Sequence, residues 1–160
     1  MKKETLSEKL YECSIHKKRL LSATSKLKYL MPLTVEKYNE LDDIFISLID
    51  QMLYRFSKLQ DTIEEKVFPA ILLLNGEDVK KMSFIDRLNR LEELELVDKN
   101  LWMLLRKERN EISHEYSFNQ EEIIEAINEI YEKTNTIIEI FDKIYNYSTD
   151  KFDITAKYKL

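Results

Sequence analysis

A chain of 160 residues with one glycine, two prolines and one cysteine is long enough to bury one sizeable core and too short for two comfortable domains. So few turn-forming residues leave little room for hairpins, and the abundance of Leu, Ile, Glu and Lys is the composition of long amphipathic helices. Thirty acidic against 25 basic side chains, a net charge of −5, favour solubility but exert no overall pull on nucleic acid, so any RNA contact has to rest on a local basic patch.

Several chemistries drop out at once. Cys13 is the lone cysteine, so no intrachain disulfide forms; it keeps register with Leu6, Leu10 and Leu20 and reads as a buried, inert thiol. The start of the chain, Met-Lys-Lys-Glu-Thr, lacks the apolar core of a signal peptide, and no apolar run reaches membrane-spanning length. The expectation is a cytoplasmic protein with no membrane partner. One cysteine and the distant His16 and His114 do not make a zinc site, no carboxylate spacing matches a calcium loop, and no glycine-rich loop exists for a nucleotide fingerprint. No metal and no cofactor are expected, and only His114 is a credible catalytic base.

Along the chain, Leu6, Leu10, Cys13, Leu20, Thr24, Leu27 and Met31 step by three and four residues, the stripe of an amphipathic helix. Lys17 falls in a gap of this stripe, where it either interrupts the apolar face or snorkels from it. Pro32 ends the helix, because the residue before a proline is pushed out of the α region. His16, beside Lys17 and Lys18, reads as a solvated surface histidine. Thr34 is the expected N-cap of a second helix, with Glu36 and Glu40 near the positive end of its dipole. Tyr38, Leu41, Phe45, Leu48, Met52, Phe56, Leu59 and Ile63 then repeat for about seven turns. Ile44, Ile49 and Leu53 widen that stripe, which marks this helix as the central mast.

Pro69 either kinks the mast or opens a short new helix from its first turn, and Gly76 after Asn75 suits a left-handed C-terminal cap. The apolar run 67–74 is buried in the domain or in a subunit interface; residues 76–82 form the clearest connection. Ser83 with Asp86 resembles a capping box, and Phe84, Leu88, Leu91 and Leu94 face inward on a short third helix. Asp98 caps a fourth helix whose apolar face is Leu101, Trp102, Leu105 and Ile112. Asn119 with Glu122 is another capping pair, so the chain turns at Ser117 and Phe118 into a fifth helix. Ile123, Ile127, Ile130, Thr134, Ile137, Phe141 and Ile144 give that helix a regular repeat, which suits a bundle helix and also a coiled-coil seam. From Ser148 the period is lost. The expected architecture is an all-α, up-and-down bundle of about five helices over residues 1–147, followed by a tail over 148–160 that Phe152 and Tyr158 help to dock.

The fourth helix carries Arg109-Asn110-Glu111-Ile112-Ser113-His114-Glu115-Tyr116. On a straight helix Arg109 and Tyr116 share one face, and Asn110 and His114 another. Arg109 and His114 diverge by about 140°, so they address one small ligand only if the helix loosens near His114 or the site is a broad cleft. In the plainest reading Arg109 pairs with Glu108, Glu111 or Glu115, His114 is exposed, and Tyr116 is a helix-end aromatic. The spacing R-x4-H-x-Y, just before the turn into the last helix, resembles the signature of the HEPN superfamily, most closely its HepT-like toxin branch. Arg55-Phe56-Ser57-Lys58-Leu59-Gln60-Asp61 on the mast is also similar to HepT-like sequences, so the likeness covers most of residues 35–147. Arg55 and Asp61 themselves read as solvated or salt-bridged helix residues.

The resemblance implies a helical bundle that pairs as a two-fold homodimer around one cleft and cuts RNA without metal. His114 would serve as acid and base, one copy from each subunit. Arg109 would stabilise the phosphoryl oxygens of the transition state. Asn110 would support them by orienting His114 or binding phosphate, and Arg106, with Lys107, would add positive charge for the RNA phosphates, although Glu108, Glu111 and Glu115 offset it. In the HepT branch the motif tyrosine, here Tyr116, is modified with nucleotide by a partner MNT-type nucleotidyltransferase antitoxin; the added phosphates would fill the cleft with negative charge. The partners implied are RNA and that antitoxin, with no DNA. Two other readings stand beside this one. Some HEPN proteins bind a nucleotide or a nucleotidyltransferase without cutting RNA, and a purely structural adaptor would use the run 67–74 or the last helix as an interface. No recognisable base-reading module accompanies the motif.

Overall fold

The computed structural model of the chain describes residues 2–112 and 118–154. Its helices are α1 (Lys2–Leu27), α2 (Val35–Asn39), α3 (Asp43–Thr62), α4 (Phe68–Leu74), α5 (Phe84–Glu93), α6 (Lys99–Glu111) and α7 (Gln120–Phe152). No strand occurs among the described residues, so the fold is all-α as composition requires. Among the described residues no helix is long and apolar enough to cross a membrane.

The first stripe is buried along its length: Leu6, Leu10, Cys13, Leu20 and Leu27 all lie in the core. Lys17 resolves its gap by reaching Asp142 on α7, with Nζ 2.7 Å from Oδ1. Met31 is extended, with φ −90 and ψ 140, as the following proline demands. The connection after it is pinned to α7, because Leu33 N–H donates to Asn128 Oδ1 at 2.8 Å and Asn128 Nδ2 donates back to Leu33 O at 3.0 Å.

The mast starts later than the apolar spacing implies. Thr34 Oγ1 accepts the Lys37 N–H at 3.2 Å but caps only α2, and Glu40 is the C-cap of that short helix. Asp42 supplies a second cap, Oδ1 accepting the Phe45 N–H at 3.0 Å, and α3 begins there. Two good capping acceptors outcompete one continuous helix, since each satisfies an orphan N–H at its own start. Tyr38, Leu41, Phe45 and Leu48 are consequently half-buried, and Ile44 is 70% exposed instead of widening the stripe. Met52, Phe56, Leu59 and Ile63 are fully buried, each worth about 1.5–3 kcal/mol of removal from water.

The two options at Pro69 merge into one feature. A π turn, Ile63–Val67, joins α3 to α4, and Pro69 sits in the first turn of α4. A mid-helix proline lacks the N–H for the carbonyl four residues back and crowds it; a wider turn just before it relieves both, so the rod continues. The rod ends in a Schellman cap. Gly76, at φ 84, donates its N–H to Leu73 O at 3.0 Å, and Glu77 N–H bonds Leu72 O at 3.0 Å, a geometry that glycine adopts without Cβ strain. Val67, Phe68, Ala70, Ile71 and Leu72 are buried in this chain's own core.

Ser83 and Asp86 form the expected capping box, and Leu88 and Leu91 of α5 are fully buried. On α7, Ile123, Ile127, Ile130, Thr134, Ile137, Phe141 and Ile144 are buried, facing the core. The helix then runs past the expected boundary at 147. Ser148 and Phe152 are buried, the Phe152 ring meets Tyr147 edge-on at 5.8 Å, and Asn75 at the end of α4 holds both Tyr147 Oη and Lys151 Nζ. Residues 148–152 therefore pack with the bundle, and Tyr158 lies outside the described residues. The frame that results is four rods around one core: α1, the α3–α4 rod, α6 and α7. Each of α1, α6 and α7 packs against α3.

Candidate functional site

Asp98 starts α6 by accepting the Leu101 N–H at 2.8 Å. Trp102 and Leu105 anchor it, both wholly buried; Trp102 Nε1 donates to Glu64 Oε1 at 3.0 Å and its ring meets Phe68 edge-on at 4.9 Å. The helix so fixed turns Arg109 toward α3. Arg109 Nε and Nη2 donate to Asp61 Oδ1 and Oδ2 at 3.0 and 2.9 Å. This two-pronged, charge-assisted pair fixes both the position and the plane of the guanidinium. The hydrogen-bonded Asp61 carboxylate, with Glu65 and Glu64 nearby, holds the Arg109 pKa above its ordinary value. The partner is thus Asp61 across the bundle rather than Glu108 or Glu111 on its own helix.

Arg109 stands on the wall of a cleft of about 580 Å³. From α3 the cleft takes Ile46, Ile49, Asp50, Leu53, Tyr54, Ser57, Lys58 and Asp61; α2 supplies Tyr38, the end of α6 adds Ile112, and α7 adds Ile123 and Ile127. Asp50, Tyr54, Ser57, Lys58 and Asp61 follow one another by helical spacing, so one polar stripe of α3 faces the cleft while Met52, Phe56 and Leu59 face the core. Tyr54 is 51% exposed. Two cations flank its ring, with Arg55 Cζ 5.2 Å and Lys58 Nζ 5.7 Å from the centroid.

Arg106 lies one helical turn before Arg109 but outside the cleft lining. Its Nε is 3.5 Å from Glu64 Oε1 and its guanidinium stacks 4.4 Å from the centroid of Phe84, so it ties α6 to the π turn and to α5. Asn110 is exposed at the end of α6. His114 and Tyr116 lie outside the described residues. The structure thus brings Arg109 together with Asp61, Lys58 and Tyr54, and separates Arg106 from that group.

Two titratable groups occupy places that sequence order does not reveal. Glu108 is only 6% exposed, wedged between α6 and α7. Burial, then its hydrogen bond to Glu129 and the charges of Glu129 and Glu111, push its carboxyl up to about 7, with Lys133 opposing. His16 is a correction. It is 8% exposed, not solvated, and Arg55 Nη1 sits 2.9 Å from its Nδ1. Since arginine keeps its protons, Nδ1 accepts and the imidazole is the neutral Nε2–H tautomer. Burial first, then the Arg55 charge, holds its pKa below the ordinary value. The physical reason is angular: positions 16 and 17 flank the line from Cys13 to Leu20, so both border the buried stripe despite their lysine neighbours. The lone thiol of Cys13 behaves as composition implies, with burial driving its pKa far upward. Among the described residues no group of three or more His, Cys, Asp or Glu side chains is placed to hold a metal ion.

No family model, curated protein or solved structure matches the chain.

Proposed function

We propose that the chain is a metal-independent endoribonuclease toxin of the HEPN type, acting as a two-fold homodimer and paired with an MNT-type nucleotidyltransferase antitoxin. The observation that carries the reading is Arg109: a guanidinium held by both oxygens of Asp61 on the wall of a cleft that also takes Lys58, five residues before the one histidine left as a base. In this reading the RNA 2′-oxygen attacks the adjacent phosphorus while a base removes its proton. The 5′-oxygen leaves with a proton from an acid, and a 2′,3′-cyclic phosphate remains. His114 of each subunit supplies one of the two proton transfers, and Arg109 stabilises the charge gathering on the phosphoryl oxygens. Nucleotide attached to Tyr116 blocks the cleft and repels RNA.

The same cleft supports a second reading, a module that binds a nucleotide or the nucleotidyltransferase without cutting RNA, because its volume and mixed apolar and charged lining suit a ligand of nucleotide size. A structural adaptor is less well supported, since the run 67–74 and the apolar face of α7 are both spent on the chain's own core. The deciding experiment is RNA cleavage by purified protein and by His114→Ala in excess chelator, read as cyclic phosphate ends. Cleavage lost in the variant supports the nuclease. Equal cleavage by both excludes His114, and no cleavage by either favours the binding module.

A further inference from the structure

We infer that the cleft beside Arg109 is a slot for a guanine nucleotide, in which Tyr54 stacks on the base, Asp50 reads its edge, and Lys58 with Arg109 receives the phosphate. The inference deepens the reading of this cleft as an RNA site and rests on it for the identity of the natural ligand. It starts from the order of side chains along α3. Asp50, Tyr54, Lys58 and Asp61 line the cleft in that sequence, rising about 6 Å for every four residues. Arg109 is tied to the Asp61 end. The wall therefore presents an acceptor, an aromatic face and an end that carries Lys58 and Arg109 beside the single Asp61 carboxylate, which is the order of functions along a nucleotide from base edge to phosphate.

Each member has a chemical reason to be there. Tyr54 leaves half of its surface in water, so a flat partner has room to stack on the ring. Arg55 and Lys58, at 5.2 and 5.7 Å from its centroid, brace the ring, and Lys58, which lines the cleft, adds positive charge on the phosphate side. Ile49, Leu53, Ile123 and Ile127 make an apolar surround that strengthens hydrogen bonds formed inside it. Asp50 then sets the base. An ionised carboxylate only accepts, through two oxygens. The Watson–Crick edge of guanine offers two adjacent N–H donors that match it. Adenine and cytosine set a ring nitrogen lone pair beside their amino group, and uracil sets its one N–H between two carbonyl oxygens, so a carboxylate repels part of each edge.

The test is calorimetric titration of the purified full-length protein with GMP, AMP, CMP and UMP, beside cleavage of a mixed-sequence RNA. GMP should bind at least about ten-fold tighter than the others, and Tyr54→Ala should cost about ten-fold or more while Tyr54→Phe binds as wild type. Asp50→Asn should lose the preference for guanine and move toward adenine, because an amide pairs one donor and one acceptor with the adenine amino group and ring nitrogen. If RNA is cut, the cuts should cluster at guanines. Failure of any nucleotide to bind, equal binding of all four, or a guanine preference unchanged in Asp50→Asn with helical signal intact, each overturns the slot even where RNA is cut. Guanine-selective binding that depends on Asp50 and Tyr54, with no RNA cleavage, upholds the slot and removes the nuclease.

Discussion

Replacing Glu108 by Gln should stabilise the protein in alkaline solution and leave it unchanged in acid. Glu108 is buried between α6 and α7, bonded to Glu129, with its carboxyl raised from 4.5 to about 7. At 1.36 kcal/mol for each tenfold change in proton affinity, ionising it in the folded protein costs about 3 kcal/mol more than in the unfolded chain. Part of that belongs to Glu129, since two carboxyls sharing a proton titrate as a pair, so about 1–3 kcal/mol is the range to expect. The sign follows from linkage. The folded pKa lies above the unfolded one, so the contribution is fully present below 4.5 and is lost as pH rises through about 7. Gln keeps a donor toward Glu129 and cannot ionise. Thermal melting at pH 4 and pH 8 measures the effect, at about 2–4 °C per kcal/mol for a domain of this size. Glu108→Gln should melt several degrees higher than wild type at pH 8 and within a degree or so at pH 4, where the carboxyl is largely protonated in both states. The same shift at both pH values, or a loss at both, would refute a proton held between α6 and α7.

Other outcomes can be checked alongside it. His16 acts in the opposite direction: its pKa is depressed, so its contribution is whole above the ordinary histidine value and fades as pH falls below about 6.5, and His16→Gln should flatten that part of a urea-denaturation series. Asp61→Asn breaks a bidentate pair that is a third exposed on each side and should cost about 1 kcal/mol; an unchanged urea midpoint would show that Asp61 does not hold Arg109 in solution. Arg106→Ala should lower stability through lost stacking on Phe84 while leaving nucleotide affinity within about two-fold, because its guanidinium lies outside the cleft; a large loss of nucleotide binding would place it back in the site. Phe152→Ala should destabilise the bundle by about 3–5 kcal/mol, whereas a residue in an undocked tail would show no change on melting.

Local chemistry made much of the architecture legible. Caps at Asp98, Ser83 and Asn119, the stop at Pro32 and the glycine at 76 act within a few residues, so each was readable from its neighbours alone. The three-four repeats of α1 and α7 name their buried faces because helical geometry turns spacing directly into direction. Arg109 stood out by its offset from His114. What spacing leaves open is which helix a face meets. That Arg109 pairs with Asp61, that Arg106 is drawn off to Glu64 and Phe84, and that Tyr54, Lys58 and Asp50 share a cleft with them depend on how α3 and α6 pack. In sequence Glu108 is one of three carboxylates that offset the positive charge around Arg109, and His16 reads as a surface histidine, because charge in the sequence does not state depth. Only the packing of α7 over α6 and of α3 over α1 buries those two groups, and burial shifts their proton affinities. The rotations of the chain about its own helices are thus written in the sequence, while the partners across the bundle, and with them the candidate site, come from tertiary packing.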